Sequence, residues 1–219
     1  MAVIAPGWSR APRGRPGRPR GTSRRKLELI ALRLFTEQGF EATTIEQIAA
    51  EAGVSPRTFF RYFGSKASVL WAEFDHEVDT IRAALAAVPA TTEMMAAIRQ
   101  AVVAANHYSA QDVPELRARM NLIGNEPALI SSAATHYDAW ERAISDFVAA
   151  RTGQPAGSLY PLTVGRATLA ACRAAYDRWS VRADADLTLY LDAALTALAA
   201  GFAPDALRAA PPWTTDGCL

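Results

Sequence analysis

The chain has 219 residues, half of them apolar, which is enough for a packed core of one generous domain or two small ones and excludes wholesale disorder. No run of about 18 apolar residues occurs, so no helical membrane span is expected, and two cysteines, Cys172 and Cys218, are too few and too far apart for a disulfide framework or a zinc site. The net charge of +1 hides a division: residues 1–66 carry 12 Lys and Arg against 5 Asp and Glu, the remainder 11 against 17, so one end suits a polyanion.

Residues 1–21 read as a flexible basic arm. Met1–Trp8 is apolar but broken by Pro6 and Gly7 and lacks a basic leader, so it makes a poor signal peptide, and the cytoplasm is the default compartment. Arg13, Arg15, Arg18 and Arg20 then alternate with Gly and Pro. That pattern suits either a hook into a narrow A·T minor groove or a solvated tail that raises the encounter rate with DNA.

From Leu27 the pattern changes. Leu27, Ile30, Ala31, Leu34 and Phe35 form one face of a first helix, ended at Gly39, with Phe40 packing back beneath it. A second helix starts at Thr43 or Thr44, since Thr43 with Glu46 and Thr44 with Gln47 both have capping-box spacing. Its stripe is Ile45, Ile48, Ala49 and Ala52, and Gly53-Val54 makes a tight turn. Ser55-Pro56 reads as N-cap and first position of a short third helix running to about Phe63. Ser65 caps a fourth, with Val69 or Leu70, Phe74, Val78, Ile81 and Leu85 on its apolar face, stopped by Pro89. Further helices are predicted near 91–109, 113–123, 127–152, 158–181 and 184–202, and a loose tail from Pro204. Nothing demands a strand. The fold class is all-α, with a basic helical unit over 22–67, expected to be the DNA-binding one on its charge, and a larger helical unit over 68–203.

Helix, three-residue turn and helix inside a basic region is the helix-turn-helix arrangement. Ile48, Ala49, Val54, Phe59 and Phe63 must clamp the pair, so that Arg57, Thr58 and Arg61 can project into a major groove. Thr44, at the start of the supporting helix, is counted with the DNA-facing residues. Lys66, beside the free N–H groups opening the fourth helix, is expected to anchor a phosphate.

The stretch Phe40–Lys66, with Thr-Ile-x-x-Ile-Ala-x-x-Ala-Gly-Val-Ser followed by Phe-x-Ser-Lys, resembles the signature of TetR/AcrR-type regulators, strongly over 24–70 and elsewhere by length and helix layout. The resemblance implies a dimeric transcriptional regulator, in most cases a repressor released from a pseudo-palindromic operator by a small molecule. It places Phe60 where the family usually has a phosphate-binding Tyr, Arg61 where Tyr or His is common and Tyr62 where His is common, and it matches Lys66 to the family's phosphate-binding lysine. Arg57–Lys66 with Trp71-x-x-Phe-Asp75 also resembles the branch associated with mycofactocin gene clusters, which implies an acyl-CoA or another long lipid-like effector.

A ligand cavity is implied between the DNA-binding end and the last two helices. Trp71, Phe74, Asn106, Arg117, Leu122, Tyr137, Trp140 and Trp179 could line it or could be ordinary core, and Arg117 and Arg119 could meet an anionic group or solvent. The last two helices offer Leu169, Ala170, Ala174 and Ala175, then Leu187, Tyr190, Leu191, Ala194, Leu195, Leu198 and Phe202, for pairing with a second copy or for burial against the same chain. No cofactor, catalytic or metal site is expected: His76, His107 and His136 stand far apart, no Ser or Cys sits in a nucleophile elbow, and Cys172 reads as a small core residue. A non-specific architectural DNA protein, and a regulator acting as activator, are the alternatives.

Overall fold

The computed structural model describes residues 23–182 and 184–201, and all its regular elements are helices: α1 (Arg24–Gln38), α2 (Ile45–Glu51), α3 (Pro56–Tyr62), α4 (Ser68–Ala87), α5 (Met94–Ala105), α6 (Val113–Asn125), α7 (Pro127–Thr152), α8 (Leu159–Arg182) and α9 (Leu187–Ala199). The basic arm, with Arg13, Arg15, Arg18 and Arg20, lies outside the described residues, as do Phe202, the tail from Pro204 and Cys218. No described helix is long and apolar enough to cross a membrane. Among the described residues no group of His, Cys, Asp and Glu could hold a metal ion.

Local chemistry sets the helix ends. Ser23 accepts the Lys26 N–H at the start of α1, and Gly39, with φ of 90°, turns the chain out of it. Thr44, not Thr43, is the N-cap of α2: its hydroxyl accepts Gln47 N–H while Gln47 Oε1 accepts Thr44 N–H, closing a capping box. Thr43 is buried instead, its hydroxyl directed at the carbonyls of Gly39 and Leu34. Ser55 caps α3 through Thr58 N–H, with Pro56 in the first turn. Ser65 and Ser68 each accept the other's backbone N–H at 3.1 Å, but α4 begins at Ser68 with Ala67, not the expected Ser65, as its N-cap and without a side-chain cap bond.

Two apolar clusters organise the molecule. One gathers Leu27, Ala31 and Phe35 of α1, Ile48, Phe59 and Phe63, the first turn of α4 (Val69–Ala72), and Ile123, Leu129 and Ala133 from α6 and α7. The other takes the rest of α4 with α5, α7, α8 and α9. Position 68 therefore does not separate the cores, because α4 enters both and the α6–α7 corner reaches into the first. At the α7–α8 contact the backbones nearly touch: a Cβ on Gly165 would lie 2.4 Å from Ser145 Oγ and 2.7 Å from the Glu141 carbonyl oxygen.

A polar network joins the two halves. Arg25 of α1 grips Glu115 of α6 with two bonds, at 2.7 and 2.5 Å. Glu115 also accepts from Arg119 at 2.9 Å, and Arg119, 2 % exposed, donates to the carbonyls of Val69 and Leu70 at the start of α4. Arg119 is therefore not a surface charge, whereas Arg25 stays exposed while it holds Glu115. A buried guanidinium is tolerable when its N–H groups all find acceptors.

Candidate functional site

The helix-turn-helix end is built on Phe59. It is fully buried, packs on Phe63 with ring centroids 5.3 Å apart, and lies in the core with Ile48. A seven-residue helix has too little propensity to stand alone, so burial of that ring is what fixes α3. The helical period then turns the neighbours of Phe59 outward. Arg57 and Arg61 are exposed, Thr58 is half-buried at the helix start, and Phe60 is 54 % exposed. Val54 is half-buried in the turn.

Among the described residues nothing pairs with Arg57. Thr58 shares a contact with Ser55 through their hydroxyls at 3.2 Å. Arg61 folds along the adjacent ring, its guanidinium 4.9 Å from the Tyr62 centroid and bonded to the Tyr62 hydroxyl at 3.2 Å. Phe60 has no hydroxyl to offer a phosphate, but its exposed face suits a thymine methyl. Thr44 is exposed and holds its capping box.

Lys66 is a correction. Its ammonium donates to Phe40 O at 2.6 Å, Thr43 O at 3.0 Å and Glu41 O at 3.4 Å, and lies 4.3 Å from the centre of the Phe40 ring. Three carbonyls use its three donors. Lys66 is thus a strap from the α3–α4 turn to the α1–α2 loop, and holds no free phosphate-binding donor.

Behind this end lies an aromatic chamber of about 100 Å³. Of the expected lining residues it brings together Trp71, Phe74, Tyr137 and Trp140. The Trp71 indole donates to Ser132 and stacks on His136, with Phe74 and Tyr137 edge-on to it. Three expected residues do not face the chamber. Leu122 packs against the N-terminal cluster, Arg117 is tied to the Ser180 carbonyl, and Trp179 is buried with its indole donating to Ala185 O. Asn106 lies beside the chamber, linked to it through Glu77.

Sequence reasoning missed Glu77, Met120, Leu169, Cys172, Arg173 and Tyr176, which also line it. Arg173 lays its guanidinium over the Tyr137 ring at 4.9 Å. Cys172 is buried, as expected of a core residue, and burial pushes its thiol pKa up. Burial likewise raises the Glu77 carboxyl to about 7, against smaller lowering by bonds from Asn106, Trp140 and Tyr176. A second, polar cleft of about 460 Å³ opens on the other side of Glu77, between α1, α4, α5 and α6, and Arg25, Glu73, Glu115 and Arg119 line it.

The expected dimer face needs the second correction. Leu169, Leu187, Tyr190, Leu191 and Leu195 are buried in this chain's own core, and Leu198 packs against it. The larger side chains of α9 fill the space over α5 and α8, where an amphipathic helix must put its apolar stripe. Only Ala174 of that set is exposed. Apolar side chains left exposed on α8 and α9 include Ala170, Ala174, Val181 (77 % exposed) and Leu189 (50 %), with Ala193 and Ala197 half-buried and the charged Arg166, Arg173 and Asp177 also exposed.

Comparison with known proteins agrees with this layout. Residues 30–72 match the family described as bacterial regulatory proteins, tetR family, and residues 92–203 match the MftR C-terminal domain. The Mycobacterium tuberculosis protein named as a mycofactocin biosynthesis transcriptional regulator, MftR, is 31 % identical over 187 residues, 85 % of this chain and 94 % of that one. Among solved structures, Thermus thermophilus FadR, a transcriptional repressor in complex with lauroyl-CoA, aligns with a TM-score of 0.53 at 21 % identity over 82 % of this chain and 94 % of its own. The SmeT–triclosan complex, SmeT being a repressor from Stenotrophomonas maltophilia, aligns with a TM-score of 0.54 at 21 % identity over 80 % and 90 %. These are regulators and not enzymes. The helix-turn-helix, the two family matches and the relative shared over most of its length make this chain a DNA-binding transcriptional regulator of the TetR family with an MftR-type C-terminal domain.

Proposed function

We propose that the protein is a homodimeric repressor that binds a pseudo-palindromic operator and is released by an apolar, lipid-like effector in the aromatic chamber. The observation that carries this reading is the stance of α3: a helix anchored by buried Phe59, with Arg57, Thr58, Phe60 and Arg61 on its uncovered side. Arg57 reads a guanine edge or a phosphate, Thr58 and Phe60 meet thymine methyl or backbone, and Arg61 with Tyr62 contacts phosphate. Thr44, at the head of α2, faces the sugar-phosphate backbone. The arm before residue 22 adds affinity through its arginines.

One such helix makes too few contacts for a useful specificity ratio, which argues for two copies spaced by roughly 34–36 Å. The uncovered small and apolar side chains of α8 and α9 support a four-helix seam between protomers, centred on Ala170, Ala174, Leu189 and Ala193. An effector chain between α4, α6, α7 and α8 acts on the same helices that carry Arg119 and Glu115, so its route to α1 is the Arg25 ion pair. The acyl-CoA class belongs to this proposal, in line with the lauroyl-CoA bound by the Thermus relative. The repressor works in the cytoplasm, where the DNA is.

Selection of bound genomic fragments followed by footprinting tests the reading. A protected palindrome that survives deletion of residues 1–21 is expected, with Arg57→Ala relaxing base preference. Binding of equal strength to every fragment, abolished with the arm, would overturn it.

A further inference from the structure

The polar cleft and the aromatic chamber meet at one side chain. Glu77 lines both and is 7 % exposed. Its Oε1 accepts from Asn106 Nδ2 at 3.0 Å and from Trp140 Nε1 at 3.4 Å. Asn106 in turn donates to Val102 O and accepts from the Tyr176 hydroxyl. Every group bonded to the carboxyl is therefore neutral, and among the described residues no cation pairs with Glu77.

The guanidiniums that could have neutralised it are used elsewhere. Arg25 is taken by Glu115, and Arg119 by Glu115 and the Val69 and Leu70 carbonyls. Glu73, one turn back on α4, adds a second carboxylate to the cleft. A buried acid with only neutral donors is expensive to keep unless something else uses it. It lines a chamber whose apolar part is Trp71, Phe74, Ile123, Met120 and Leu169, and whose other charged groups are Arg173 and Asp177. The chamber's volume of about 100 Å³ is small for a drug-sized ligand, which needs about 300 Å³ or more, so an occupant must push side chains aside. Met120, unbranched and adaptable, is placed to yield.

We propose that Glu77 is the polar recognition residue of the effector site, and that the effector carries, next to its apolar body, an amine or amide N–H donor that Glu77 accepts, while a chain ending there in a carboxylate is refused. The inference rests on the chamber being the effector site. A donor that reaches Oε1 or Oε2 supplies the missing partner, and a cationic one also answers the field of Glu73. A carboxylate held against Glu77 brings a third negative charge there, and the chamber's lining cation, Arg173, lies over the Tyr137 ring and makes no bond to Glu77. An acyl chain continued through an amide-bearing group satisfies the rule, and a free fatty acid does not.

The experiment uses the full chain and the fluorescence of Trp71 and Trp140, which line the chamber. Dodecylamine, dodecanol and dodecanoate, matched in chain length and kept below their micellar concentrations, are titrated into the parent protein and Glu77→Gln at pH 8. Dodecylamine is expected to bind the parent at least about tenfold more tightly than dodecanoate, which corresponds to about 1.4 kcal/mol. In Glu77→Gln that ratio is expected to fall below about twofold. Equal affinities in the parent, a preference for dodecanoate, or a ratio that the substitution leaves unchanged would overturn the proposal. The parent's own ratio decides the matter if the variant does not fold. Binding of dodecanol without any amine preference would sink the role of Glu77 alone. Failure of all three probes, or probe binding undisturbed by Met120→Trp, would sink the effector-site reading with it.

Discussion

Replacing Glu77 by Gln should alter how stability depends on pH, and the size of the change follows from its surroundings. The carboxyl faces Asn106 at the end of α5, Trp140 on α7, Tyr176 and Cys172 on α8, and Glu73 on its own helix, with no cation bonded to it. Burial raises its pKa from 4.5 to about 7. A raised carboxyl pKa means that the folded protein holds the proton more tightly than the unfolded chain. The stabilisation is complete below pH 4.5 and is lost as pH rises through about 7. At about 1.4 kcal/mol per unit, the loss is about 3 kcal/mol. Gln is nearly isosteric and can still accept from Asn106 and Trp140, but it does not ionise. Thermal melts followed by circular dichroism at pH 5 and pH 8.5 should therefore show the parent falling relative to Glu77→Gln by roughly 6–12 °C. All other titrating groups are common to both proteins and drop out of the difference. Parallel stability curves across this range would refute the reasoning, because Glu77 would then ionise as freely as a surface carboxylate.

Lys66→Ala should cost about 2 kcal/mol of stability in urea denaturation, since it removes charged hydrogen bonds to three loop carbonyls. A variant of unchanged stability whose operator binding lost one unit of salt dependence would restore the phosphate role. Gly165→Ala should destabilise by about 3 kcal/mol, because the added methyl meets the Glu141 carbonyl and not merely a mobile side chain; a neutral effect would mean that α7 and α8 can separate at no cost. Ala174→Arg should yield a folded monomer with weak operator affinity, whereas Leu191→Ala should lower stability by about 2–5 kcal/mol through the protein's own core. Sedimentation velocity checks the first. An intact Ala174→Arg dimer would place the seam elsewhere.

The first four helices were legible through their apolar spacing and their stops at Gly39, Gly53, Gly64 and Pro89, whereas the ends of the later helices were softer because α6 and α7 carry no side-chain cap and α8 has a weak apolar period. Where the pattern offered two equivalent solutions, sequence could not choose. Thr43 and Thr44 both stand three residues before a Glu or Gln, and the choice fell to the carbonyls of Gly39 and Leu34, which lie near Thr43 only after α1 folds back. The apolar stripe of α9 was equally plain, but a stripe does not say what covers it. In the structure α5 and α8 do, and the uncovered face is the one with smaller residues. Lys66 was misread because its sequence position beside free N–H groups says nothing of the carbonyls brought to it from 23–26 residues upstream. Glu77 had a signal that went unused: it lies three residues after Phe74 and four before Ile81, on the buried face of α4, where an acidic residue has to be there for a reason.

The 20-residue α4 is rooted in both cores, with Val69 and Leu70 locked to Arg119 near one end and Glu77 at mid-length. A rod of that length, about 30 Å, converts a small angular adjustment into useful travel. Pivoting by about 5° at the far end would carry the reading head through roughly 2–3 Å, and in two protomers moving oppositely through roughly 5 Å. Set against a groove repeat of roughly 34 Å, that is enough to put one head out of step while the other is seated. The stiffness supplied by the arginine clamp is thus what would let a side-chain rearrangement too slight to disturb either core decide whether both ends of the proposed dimer can hold DNA at once.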